Sequence, residues 1–140
     1  MPKATTMSVL ISFALLAACA GPITPDDTTW QATLTATGPR DRLTGNVGVL
    51  SQSDRLSANI QIKNAPPGAI LTWQLRTGSC AQAGDLIGGR AVYPALTADT
   101  LGAASAVTVV DTHLSSDGQY QASVLDAGGL VVACGELQRS

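Results

Sequence analysis

Between Leu56 and Lys63 apolar and polar residues alternate without a break, as Leu56-Ser-Ala58-Asn-Ile60-Gln-Ile62-Lys63. A period of two sends one set of side chains to a buried face and the other into water, the pattern of a half-buried strand. Trp30-Gln-Ala32-Thr-Leu34-Thr-Ala36 repeats it, and Ala69-Ile-Leu71-Thr-Trp73-Gln-Leu75 resumes it after the turn signal Pro66-Pro67-Gly68. Thr44 to Leu50, Ala103 to Val110, Tyr120 to Leu125 and Leu130 to Leu137 are further candidates. Short strands punctuated by Gly, Pro, Asp and Ser predict an all-β fold, an antiparallel Greek-key β-sandwich of about seven or eight strands, immunoglobulin-like in its general plan. Gln82 to Asp99 has no clear period, and Gly84, Gly88, Gly89 and Pro94 predict a long loop with one short strand.

The amino end follows a different rule. Lys3 precedes an uncharged run from Met7 to Ala18, which ends in Leu16-Ala17-Ala18-Cys19. A positive charge, a short apolar run and small residues form a secretory signal, and the run is too short to cross a bilayer of about 30 Å as a helix. Leu-Ala-Ala-Cys resembles the cleavage and lipidation site of bacterial lipoproteins. That resemblance implies removal of residues 1–18, a diacylglyceryl group on the Cys19 sulfur and acylation of the new amino terminus. Two or more acyl chains make a stable anchor. Ala20 stands where an aspartate favours inner-membrane retention in enterobacterial lipoproteins, so the periplasmic face of the outer membrane is the expected location. Residues 19–28, with Gly21, Pro22, Pro25 and Asp26-Asp27, are expected to be a tether, and 29–140 a single β-sandwich domain.

Composition narrows the partners. The formal net charge is −2, and one unit more negative once Lys3 leaves with the signal. There is one glutamate, Glu136, and after the signal one lysine, Lys63, with no basic cluster, which argues against nucleic acid. Thr, Ser, Val, Gly and Ala dominate, favouring strands and turns over long surface helices.

With Cys19 lipidated, Cys80 and Cys134 remain as a pair in an oxidising compartment, where a disulfide is the expected state. Zinc is the other use of such residues, but two distant cysteines with no neighbouring histidine make a poor zinc site, and the spacing of a redox pair is absent.

Gly68-Ala-Ile-Leu-Thr-Trp73-Gln-Leu75 with Thr77-Gly78-Ser79-Cys80, and the closing Val132-Ala133-Cys134-Gly135-Glu136-Leu137, resemble the copper/zinc superoxide dismutase pattern. In that family a strand carries a His-x-His pair, and a cysteine in a nearby loop bonds to an Ala-Cys-Gly motif in the last strand. Tyr93 to Leu96, Gly102 to Ser105 and Tyr120 to Val124 resemble the related chordin-type (CHRD-like) repeat domains. The resemblance implies a dismutase-like sandwich, but the copper histidines of the family fall at Trp73, Leu75 and Val124. His113 is the one histidine in the chain. Copper favours imidazole or soft sulfur ligands. Trp73, Leu75 and Val124 are thus vestigial metal-ligand positions, and no metal or other cofactor is expected. Trp73, alternating with Leu71 and Leu75, is expected in the core.

Other chemistry is thin. Asp111-Thr-His113-Leu-Ser115-Ser116 has the residue types of a serine hydrolase but reads as a polar loop ending in the turn Ser116-Asp117-Gly118, since a triad converges from separate elements. His113 with Asp111 or Asp117 makes at most a weak metal contact. Asp41, Asp54, Asp85, Asp99 and Asp126 lie among turn formers and read as capping groups, and Gly88-Gly89-Arg90 lacks the context of a phosphate loop. The sequence implies a membrane-anchored envelope lipoprotein acting as a non-catalytic binding or structural module. Its expected partners are the membrane, through the lipid, and an envelope protein, glycan or small ligand. The alternative class is a metal-binding or redox enzyme of the dismutase type.

Overall fold

The computed structural model describes residues 27–39 and 41–140. The signal segment 1–18, Cys19 and nearly all of the 19–28 tether lie outside the described residues. The alternating segments form β1 (Thr28–Ala36), β2 (Thr44–Ser51), β3 (Leu56–Lys63), β4 (Ile70–Gly78), β7 (Ala104–Val110), β8 (Tyr120–Leu125) and β9 (Val131–Glu136). β1 starts two residues before Trp30. The stretch from Gln82 to Asp99, expected as a long loop with one short strand, holds two, β5 (Ala83–Leu86) and β6 (Leu96–Thr97), on either side of a one-turn 3₁₀ helix, Arg90–Val92. A further two-residue strand, β10 (Gln138–Arg139), follows β9. These short strands escape a periodicity search because each pairs for only a few residues, β5 and β6 with β4 and β10 with β1.

Every pairing is antiparallel, and eight strands run in the order β5-β4-β8-β9-β1-β2-β3-β7. β1 joins the two halves. One of its edges pairs with β2 from Thr28 to Leu34, while Thr35 and Ala36 pair with Cys134 and Ala133 of β9. The sheet curls so that alternate residues meet inside, among them Trp30, Leu34, Val47, Leu56, Ile60 and Leu75, all buried. Two edge-to-face aromatic pairs sit in this core, Trp30 with Tyr120 at 5.3 Å and Trp73 with Tyr93 at 5.1 Å. Such contacts contribute about 0.5–1.5 kcal/mol beyond area burial.

Pro66-Pro67-Gly68 turns the chain from β3 to β4 as its composition predicts. Gly68 has φ +76°, and Ala69 N–H donates to Pro66 C=O at 3.0 Å. Cys80 and Cys134 form a disulfide with a sequence separation of 54. The Cys80 end belongs to the β4–β5 hairpin tip, where Ser79 and Gln82 hydrogen-bond each other, and the bond ties that tip to β9. Among the described residues no helix is long and apolar enough to cross a membrane.

Candidate functional site

The positions singled out from the dismutase resemblance come together in space. Trp73 lies directly opposite Val124 across β4 and β8, and Leu75 opposite Ala122. All three face inward, with Trp73 1% exposed and Leu75 and Val124 fully buried. The Trp73 indole N–H donates to Pro94 C=O at 2.8 Å, pinning the 87–96 segment over the sheet. Tyr93 closes the same corner, its hydroxyl donating to Ile87 C=O, and burial pushes its pKa up so that it stays a donor. The arrangement is packing with two polar anchors.

The disulfide covers a second buried region, on the outward face of β4, β8 and β9. Gln74, Ser123 and Cys134 stand side by side in one cross-strand row, with Gln121 two residues from Ser123 along β8, and all four are buried. Among the described residues the Ser123 hydroxyl has no hydrogen-bond partner.

The loop 111–119 brings His113, Ser115 and Ser116 to one polar hollow of about 530 Å³ with Ser51 and Arg139, but Asp111 and Asp117 do not line it. Ser51 there is structural, accepting the Leu114 N–H at 2.7 Å. Among the described residues no group of three or more His, Cys, Asp and Glu side chains could hold a metal ion. Asp99 and Asp126 cap turns. Each Oδ1 accepts two backbone N–H groups, from Leu101 and Ala103 and from Gly128 and Leu130.

A further hollow lies on the outward face of β1, β2 and β3. It is a trough of about 750 Å³ lined by Gln31, Thr33, Asn46, Asn59, Glu136 and Gln138, with Gly48 as its floor. Strand register assembles it: Gln31 stands opposite Gly48 on one side and Gln138 on the other, Gly48 opposite Asn59, and Thr33 opposite Asn46. Among the described residues none of these six side chains hydrogen-bonds another protein group. A smaller hollow of about 300 Å³ shares Gln31, Gly48 and Asn59 and extends the trough toward Leu50 and Val107. Val107 is 66% exposed.

A water-facing sheet surface is polar by default, but its residues are ordinarily good strand formers. Asn and Gly are depleted from strands, at a cost of up to about 1 kcal/mol per position. Here Asn46, Gly48 and Asn59 cluster in the middle of paired strands. Backbone crowding does not require Gly48, since a Cβ there would meet only the Asn59 carboxamide, nearest atom Oδ1 at 3.1 Å. Gly45 in the same strand is different, because its Cβ would overlap the Gln61 carbonyl. A mid-strand glycine often marks a bulge, a bend or a place where a ligand approaches the backbone closely, and the register at Gly48 runs through without a bulge. Sequence reading missed the trough because its members look like the ordinary polar half of alternating strands; the signal present was the pair of glycines in Thr44-Gly-Asn-Val-Gly48. No protein-family model matches this chain, and no curated protein matches it.

Proposed function

We propose that this chain is a lipid-anchored envelope protein whose curled sheet is a dismutase-like Greek-key sandwich without the metal site, and that it works as a non-catalytic binding module. The observation that carries the binding role is the trough over Gly48, where uncommitted amide groups and poor strand formers gather at a point the fold does not require. Two connections support the Greek-key reading. The chain leaves β3 to start β4 beside β8, and it leaves β7 to start β8, so both links pass from one half of the strand order to the other. Tyr120 at the start of β8 supports it too, its hydroxyl accepting from Ser115 N–H at 2.8 Å in the manner of a tyrosine corner. A Cβ at Gly118 would overlap that hydroxyl, which accounts for the glycine in Ser116-Asp117-Gly118. The buried Trp73, Leu75 and Val124 support the absence of a metal centre, since indole and aliphatic groups offer copper no ligand.

Lipid at Cys19 gives the module its place. The ten residues from Cys19 to Thr28 span at most about 35 Å when extended, so the sheet face can stand clear of headgroups. The test is a photo-crosslinking side chain placed at Asn59 of the full chain in intact bacteria, with Lys63, at the end of the same strand, as control. An adduct formed from Asn59, identified by mass spectrometry and absent from Lys63, is the expected result. No adduct, or stoichiometric copper or zinc with superoxide-dependent turnover in the purified chain, would overturn the reading.

A further inference from the structure

We infer that the trough binds a neutral, polyhydroxylated ligand, a short stretch of glycan, lying across β1, β2 and β3 over Gly48. The inference rests on the binding-module reading and names the chemistry of its ligand. Among the described residues Glu136 is the one charged residue of the lining, and no lysine or arginine lines the trough. An anionic ligand would therefore leave its charge without a counter-ion as it lost water, a heavy cost. An apolar ligand would strip water from Gln31, Asn46, Asn59 and Gln138 and return no hydrogen bonds. A peptide adding as a strand needs free main-chain groups at a sheet edge. β2 and β3 are paired along both sides, and β1 pairs with β2 on one edge and, on the other, with β10 at Trp30–Gln31 and with β9 at Thr35–Ala36, so no strand-length edge is open to an added peptide.

Hydroxyl-rich rings fit what remains. A carboxamide offers one acceptor and one donor group side by side, and each hydroxyl of a sugar both donates and accepts, so Gln31, Asn46, Asn59 and Gln138 match vicinal hydroxyls without charge. Thr33 adds a fifth such partner at the end of the trough. The rings also carry apolar C–H faces, and the shoulder formed by Leu50 and the exposed Val107 continues the same hollow on that side. Gly48 lets a ring settle close to the backbone between Gln31 and Asn59. The volume of about 750 Å³ lies within the range of small-molecule sites, about 300–1,000 Å³.

The test is calorimetric titration of the full chain in detergent with chitotriose, cellotriose and maltotriose, and with trigalacturonate as the charged comparison. At least one neutral trisaccharide is expected to bind with Kd below ~1 mM, and the charged one at least ~10-fold more weakly. Gly48→Val fills the floor with a strong strand former, so it should lower affinity by ~10-fold or more while leaving the melting temperature unchanged or higher. Asn59→Ala, which fills nothing, should lower affinity about 3–10-fold and covers the case in which Gly48→Val does not fold. If no neutral sugar binds but the Asn59 crosslinker captures a defined protein, the ligand class is overturned and the binding module stands. If neither occurs, both fall. Sugar binding unchanged by both variants would place the ligand elsewhere and overturn the inference.

Discussion

Replacing Trp73 measures how far the inward face of β4 is packing. A buried tryptophan removes roughly 150–250 Å² from water, which at about 25 cal/mol per Å² is an upper bound near 4–6 kcal/mol. Trp73 is 1% exposed, paired with Val124 across the ladder and set edge-on to Tyr93, so little of the space can collapse when the ring is removed. Trp73→Ala is therefore expected to cost about 3–5 kcal/mol. Trp73→Phe keeps most of the apolar volume but loses the 2.8 Å hydrogen bond to Pro94, and should cost about 1–2 kcal/mol. The assay is urea unfolding of the full chain followed by intrinsic fluorescence. Trp30, itself 3% exposed, remains as the reporter in both variants. Far-ultraviolet circular dichroism checks that the transition is two-state. A loss below about 1 kcal/mol for Trp73→Ala would refute the reasoning, because no well-packed core indole is that dispensable. It would mean that the space under residues 87–96 is adaptable enough to serve as a site.

Reduction of Cys80–Cys134, or its replacement by two alanines, opens a loop with sequence separation 54 and should cost about 4 kcal/mol through the unfolded chain, read as a lower urea midpoint. A midpoint that does not move on reduction would count against that role. Asp99 carries a pH signature. Backbone N–H groups of Ala103 and then Leu101 hold its carboxyl below the ordinary carboxylate pKa. A depressed folded pKa favours the ionised form in the folded state, so the stabilisation is present above the unfolded carboxylate pKa of about 4 and is lost as pH falls through the folded value. In acid unfolding, Asp99→Asn should show a shallower loss of stability below about pH 4 than the parent chain. Identical pH slopes would show that the turn does not depend on the charge.

The strands could be read from the chain because a period of two is a local property. Leu56 to Lys63 needs no partner to declare which side chains are apolar, and its bounds in the fold are those of the alternation. The turn at Pro66-Pro67-Gly68 was legible for the same reason, being a matter of φ at one glycine. The Cys80–Cys134 bond followed from counting sulfurs. One short strand between Gln82 and Asp99 was legible, but not that there are two, β5 and β6, nor β10, since strands of two to four residues exist only because a longer neighbour offers them hydrogen bonds.

The candidate site belongs wholly to the second kind. Gln31, Gly48, Asn59 and Gln138 come from four different strands, and each looks unremarkable in its own segment. Register alone sets Gly48 between Gln31 and Asn59 and brings Gln138 beside Gln31. What sequence determined here was which face of each strand meets water, because solvation acts residue by residue. Which polar groups of that face share one hollow was decided by long-range pairing, because a slip of one residue in β2 would turn Gly48 inward and leave no trough.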